Sequence, residues 1–157
     1  SAVEVVNRTR AAIDTAAVAA LVDVVLAAEG AAGAEVGVTF VGERRVRDLN
    51  REHRGRDQVT DVLAFPLEDA DDGGAEGAAV GGGPPRLLGD VVVCARQALR
   101  QARAAGLPPG VELAVLLVHG TLHLLGYDHD IDAGRMALRQ AELLERVRWE
   151  GLVGTQA

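Results

Sequence analysis

The segment from Pro109 to about Leu124 constrains the fold more than any other part of the chain. Val111, Leu113, Val115, Leu116, Leu117, Val118 and Leu122 make it apolar nearly all round. A helix of that kind belongs inside a domain, with the remaining elements wrapped around it. Pro109 suits its first turn. Yet it also carries His119 and His123. Four residues advance a helix by ~400° and ~6 Å, so both rings leave the same face one turn apart. Two imidazoles on so apolar a helix are costly without partners.

His129 follows closely, after Gly126. Glycine takes a left-handed conformation cheaply, so Gly126 is expected to end the helix and let the chain reverse toward the first two rings. Three imidazoles around one cation leave a fourth tetrahedral position open, the layout of a catalytic zinc site. The spacing HxxxHxxGxxH is the one metzincin proteases use, but there a glutamate follows the first histidine as general base. Here that position is Gly120, which counts against peptide hydrolysis by the same route. Cys94 is the only cysteine, so neither an internal disulfide nor a multi-cysteine zinc site is available.

The other elements follow from periodicity and punctuation. Strands are predicted over Val3–Val6, Val36–Val41, Thr60–Phe65 and Leu87–Cys94, the third stopped by Pro66. Helices are predicted over Arg8–Ala28, Glu43–Arg54, Ala95–Ala105, Pro109–Leu124 and Asp132–Trp149. This order predicts an α+β fold, a small mixed four-stranded sheet packed with about five helices. The first two strands should be parallel and the last two antiparallel. With 157 residues, the chain is read as one domain over 1–157. The acidic, Gly-rich stretch 68–86 is read as a flexible insert outside the core.

Charge is unevenly placed. The net charge of −7 argues at face value against a nucleic-acid binder. However, 68–86 alone holds five acids against Arg86, whereas 44–56 holds Arg44, Arg45, Arg47, Arg51, Arg54 and Arg56 against Asp48 and Glu52. Such a cluster is suited to tracking a phosphate backbone, with a solvated helix face as the plainer alternative. No apolar run reaches the ~18 residues of a membrane span, and no basic-then-apolar leader is seen, so a cytoplasmic, membrane-free protein is expected.

Three stretches together resemble the bacterial YbeY family, whose members are single-strand-specific endoribonucleases in ribosomal RNA maturation. They are His119-Gly120-x-Leu122-His123-Leu124-x-Gly126-Tyr127-Asp128-His129, the run from Leu49-Asn50 through His53-Arg54-Gly55 to Thr60-Asp61-Val62-Leu63-x-Phe65-Pro66, and Leu88-Gly89-Asp90-Val91-x-Val93-Cys94. His53 stands where an aromatic residue is more usual. The resemblance implies a zincin-like fold with the ligand helix beside a cleft, one Zn²⁺ on His119, His123 and His129, and Arg54 in the cleft as a residue needed for RNA cleavage. Arg44, Arg45, Arg51 and Arg56 are candidates for the RNA backbone. Asp61, Asp128 and Asp130 are candidates for a base or for orienting the ligands. The implied function is processing of the 16S rRNA 3′ end and ribosome quality control. The implied partners are single-stranded RNA, rRNA, and the ribosome or its proteins, with neither DNA nor membrane. A non-catalytic assembly factor with a structural zinc is the alternative.

Overall fold

A computed structural model describes residues 2–67, 86–128 and 133–154. The expected insert, apart from Arg86, lies outside these residues, as do His129 and Asp130. The strands are β1 (Val3–Asn7), β2 (Glu35–Val41), β3 (Val62–Pro66) and β4 (Leu87–Cys94). The helices are α1 (Thr15–Ala28), α2 (Glu43–Arg54), α3 (Ala95–Ala105), α4 (Pro109–Leu124) and α5 (Ala133–Leu144). The fold is α+β. The sheet order is β1-β2-β4-β3, with β1/β2 and β2/β4 parallel and β3/β4 antiparallel.

Period-two alternation separates the two faces of the sheet. Val36, Val38, Phe40, Val91 and Val93 point into the main core, where they meet Val18, Leu21, Val22 and Val25 of α1 and Leu113, Leu117 and Leu122 of α4. Val41, Leu63, Val92 and Cys94 point the other way and are covered by Val46 of α2, with Leu49 and Phe65 packed alongside. The α2 cover is partial. Thr39 is half-buried and Asp90 exposed, so the rest of that face stays open.

Several boundaries differ from expectation: β1 runs on to Asn7, β2 starts at Glu35 and β3 starts at Val62 rather than Thr60, and three further differences have a visible cause. The chain from Arg8 to Asp14 is not helical. Asn7 Oδ1 accepts from the Thr9 amide (3.0 Å) and hydroxyl (2.7 Å), and Asn7 Nδ2 donates to the Ala11 carbonyl. Side chains of this type compete with the helix for backbone partners. Asp14, inside the helix expected over Arg8–Ala28, is instead the N-cap of α1 and accepts from the Ala17 amide at 3.1 Å. The last helix ends at Leu144 rather than Trp149, because the Arg146 and Val147 amides both turn back onto the Leu143 carbonyl. Trp149 packs against Gly110 at the start of α4, so tertiary contact takes it out of the helix. Finally, β3 includes Pro66. On an edge strand its missing N–H faces no neighbour, and the Leu67 amide resumes the ladder to Leu88. No described helix is long and apolar enough to cross a membrane.

Candidate active site

α4 runs under the β3 edge of the sheet. Gly120 is what permits this approach: a Cβ there would lie 2.7 Å from Val91 Cγ1. The position after the first histidine therefore faces packed sheet, with no room for a glutamate. The next residue, Thr121, is buried and returns its hydroxyl to the Leu117 carbonyl at 2.7 Å. The helix ends as the sequence predicts. Gly126 has φ of +100°, and the Tyr127 amide reaches back to the Leu122 carbonyl.

His119 and His123 leave the half-buried side of α4 with their Nε2 atoms 3.1 Å apart. The outer nitrogen of His119, Nδ1, lies 3.0 Å from Gln140 Oε1 on α5. An amide oxygen only accepts, so Nδ1 carries the proton and Nε2 presents a lone pair. His123 is hydrogen-bonded to the Tyr127 backbone, an interaction that raises its pKa as donation to a carbonyl does. At this distance either one ring donates to the other or both nitrogens present lone pairs to a cation held between them. Tetrahedral Zn–N bonds of ~2.0–2.1 Å place ligand nitrogens ~3.3 Å apart. The donor set present thus fits a single zinc ion.

The net effect on His123 is a pKa below the ordinary value. Burial is the largest cause, and the charges of His119 and Arg54 add to it, against the Tyr127 bond and Asp128. The ring stays neutral, the form that binds metal. Arg54 reaches this neighbourhood from the last turn of α2. Gly55 closes that helix in the left-handed conformation at φ of +69°. Buried Asn50 donates to the Gln58 carbonyl at 3.0 Å, and Asp57 is held by Arg47 at 2.7 Å and approached by Arg51 at 3.8 Å. These contacts fold the following loop back on α2 and set where Arg54 stands.

Between α2 and the open sheet face lies a groove of about 710 Å³, lined among others by Arg8, Arg45, His53, Arg54, Phe65 and Asp90. The arginines expected to act together are thus divided. Arg45 shares the groove with Arg54. Arg44 and Arg51 line a separate surface with Asp48, where Arg51 pairs with that carboxylate at 3.2 Å. Arg56 is exposed in the loop after α2. Asp61 accepts from Gln101 Nε2 at 3.2 Å, and the same amide group donates to Glu112 near the start of α4. Asp128 is exposed, and its charge opposes the lowering of the His123 pKa. Tyr127 uses its hydroxyl on Glu29 Oε2 at 2.8 Å, and Glu29 is further held by Arg139. Sequence reasoning missed Gln140, Asn50 and Glu29. Only the pairing of an isolated amide with a histidine helix would have hinted at the first.

Fold and site together define a small α+β protein whose buried helix presents a metal-spaced histidine pair next to an arginine-lined groove. The chain belongs to the YbeY family. The family model described as Endoribonuclease YbeY matches residues 4–148. The Endoribonuclease YbeY of Anaeromyxobacter sp. (strain Fw109-5) is 51% identical over 131 residues, 82% of this chain and 61% of that protein. The Endoribonuclease YbeY of Bacillus cereus (strain B4264) is 46% identical over 115 residues, 72% of each. The matched part thus spans about three-fifths of the Anaeromyxobacter relative's length. The solution structure of TM1509 from Thermotoga maritima superposes with a TM-score of 0.62 at 26% identity, covering 91% of this chain and 87% of that one.

Proposed function

We propose that this chain is a zinc-dependent, single-strand-specific endoribonuclease. Its place is in the cytoplasm, in 16S rRNA 3′ end maturation and ribosome quality control, in contact with the ribosome or its proteins. The reading is supported by the relatives named as endoribonucleases. The observation that carries it is the facing pair of imidazole nitrogens, 3.1 Å apart, within the electrostatic reach of Arg54.

His119, His123 and, following the sequence spacing, His129 would hold the ion in a zincin-like arrangement. Zinc when bound supplies Lewis acidity and a water of pKa ~7. The chain's own residues do the rest. Gln140 keeps the proton on the outer nitrogen of His119. Arg54 takes the non-bridging oxygens of the scissile phosphate, where negative charge grows on the way to the transition state. Of the four other arginines considered, Arg45 shares the groove with Arg54 and offers positive charge to a neighbouring phosphate, whereas Arg44 and Arg51 line a separate surface and Arg56 is exposed after α2. Asp128 and Asp130 flank the third histidine in sequence, and to them falls orienting it or moving a proton. Asp61 is engaged with Gln101.

The test combines elemental analysis of tag-free protein with cleavage of a purified single-stranded RNA. One equivalent of zinc is expected, with activity abolished by chelator and lost in His119→Ala. Cleavage that survives both treatments overturns the metalloenzyme reading. Bound zinc with no cleavage by nuclease-free protein favours the assembly-factor alternative.

A further inference from the structure

Arg47, Arg51, Arg96, Arg100 and Arg139 all lie within ion-pair distance of a carboxylate. Arg8, Arg45 and Arg54 share the groove on the open sheet face instead. None of these three has an ion pair among the described residues. Arg8 is there because the chain after β1 is not helical. Its amide continues the sheet by bonding the Phe40 carbonyl at 2.9 Å, which holds the residue beside β2. Arg45 comes from the first turn of α2 and Arg54 from its last. Nine residues of helix separate those two by ~13 Å along the axis, which spreads positive charge along the groove.

The groove shares Arg54 with the neighbourhood of His123 and also carries two further arginines, Arg8 and Arg45. Asp90 lines its sheet side, lying over Gly37, and its negative charge confines anionic groups to the α2 side. Phe65 and His53, with ring centroids 4.9 Å apart, supply a ring surface on the same side as Arg54. A ligand with repeated anionic groups and planar bases matches this lining.

We propose that Arg8 and Arg45 form a phosphate subsite for nucleotides flanking the cleavage point, so that single-stranded RNA crosses the open sheet face between them and Arg54. This rests on the endoribonuclease reading above. It makes Arg8, which no family motif marks, a substrate-binding residue, and it leaves Arg51 outside the RNA path.

The experiment measures kcat and KM of the metal-loaded full chain on a single-stranded oligoribonucleotide across a range of salt. Arg8→Ala/Arg45→Ala should raise KM at least tenfold while kcat changes less than threefold. The slope of log(kcat/KM) against log salt should flatten by ~1.4, about 0.7 for each lost phosphate contact. Arg8→Lys/Arg45→Lys should restore most of the slope, and Arg146→Ala, exposed and not lining the groove, should leave it unchanged. Should the double alanine variant fold poorly, Arg8→Gln and Arg45→Gln singly should each flatten the slope by ~0.7. An unaltered KM and slope in a variant that cleaves normally overturns the subsite alone, as does an equal loss in Arg146→Ala. If the unsubstituted protein does not cleave single-stranded RNA, the subsite falls together with the reading it rests on.

Discussion

Gly120 lies so close to Val91 that a methyl group in place of its hydrogen would meet Val91 Cγ1 at 2.7 Å. The residue between the two histidine turns is thus a packing residue. Gly120→Ala should gain the ~0.5–1 kcal/mol of helix propensity and lose more to overpacking, for a net destabilisation of ~1–2 kcal/mol. Gly120→Glu should unfold the chain more severely and confer no peptidase activity. Urea denaturation checks the first, and a casein assay on any folded fraction checks the second.

Gln140 meets His119 from a different helix. Gln140→Leu should weaken zinc affinity 10–100-fold, and Gln140→Glu, which keeps an acceptor oxygen, should retain most of it. Competition with a chromogenic chelator measures both. Equal affinity in all three proteins would remove Gln140 from the site.

The hydroxyl of Tyr127 ties the turn after α4 to Glu29 at the end of α1. Burial and the adjacent Glu29 carboxylate push the phenol above its ordinary pKa, so it remains a donor through neutral pH. Tyr127→Phe should cost ~1 kcal/mol, since the acceptor keeps Arg139 as a partner. Chemical denaturation reads the loss, and a change within error would show that the bond is replaced by water.

Asp57 titrates below its ordinary value, chiefly through its hydrogen bond to Arg47. A carboxylate with a depressed folded-state pKa supports the fold above its unfolded pKa and stops doing so as pH falls through the folded one. The loop after Arg54 should therefore loosen only in acid, below pH 3.8. Carboxyl-carbon NMR should find the Asp57 midpoint below that value, and Arg47→Ala should move it back up. A midpoint that ignores Arg47→Ala would mean the pair does not persist in solution.

Asp14 caps α1 through the Ala17 amide. Asp14→Ala should cost ~1 kcal/mol, whereas Asp14→Asn should cost only a few tenths. Thermal melts of the two variants separate a cap from a general surface effect.

The β1/β2 and β3/β4 pairings and the course of α4 were legible in the residues, whereas the β2/β4 pairing that orders the sheet was not. β-Branched, apolar runs marked Val36–Val41 and Leu87–Cys94 as strands, and the apolar girth of 109–124 required burial. The four-residue step alone put His119 and His123 on one side of a helix, and Gly126 alone marked where that helix stops. The same local reasoning misplaced the start of α1 and the end of α5. Asn7, Thr9 and Trp149 there answer to partners that helical periodicity does not count.

What the residues could not disclose is which side chains meet across elements. Gln140 stands 21 positions from His119, and Arg8 lies far in sequence from the Arg45 with which it shares a groove. Charge counting made one cluster of residues 44–56, but the turn of α2 sends Arg45 and Arg54 toward the sheet and Arg51 toward Asp48 and Asp57. A one-dimensional pattern determines the face a residue occupies on its own element. The packing of α2 over β2 and β4, and of α5 against α4, decides what that face encounters, because such contacts follow from the free energy of the whole core and not from any neighbourhood in the chain.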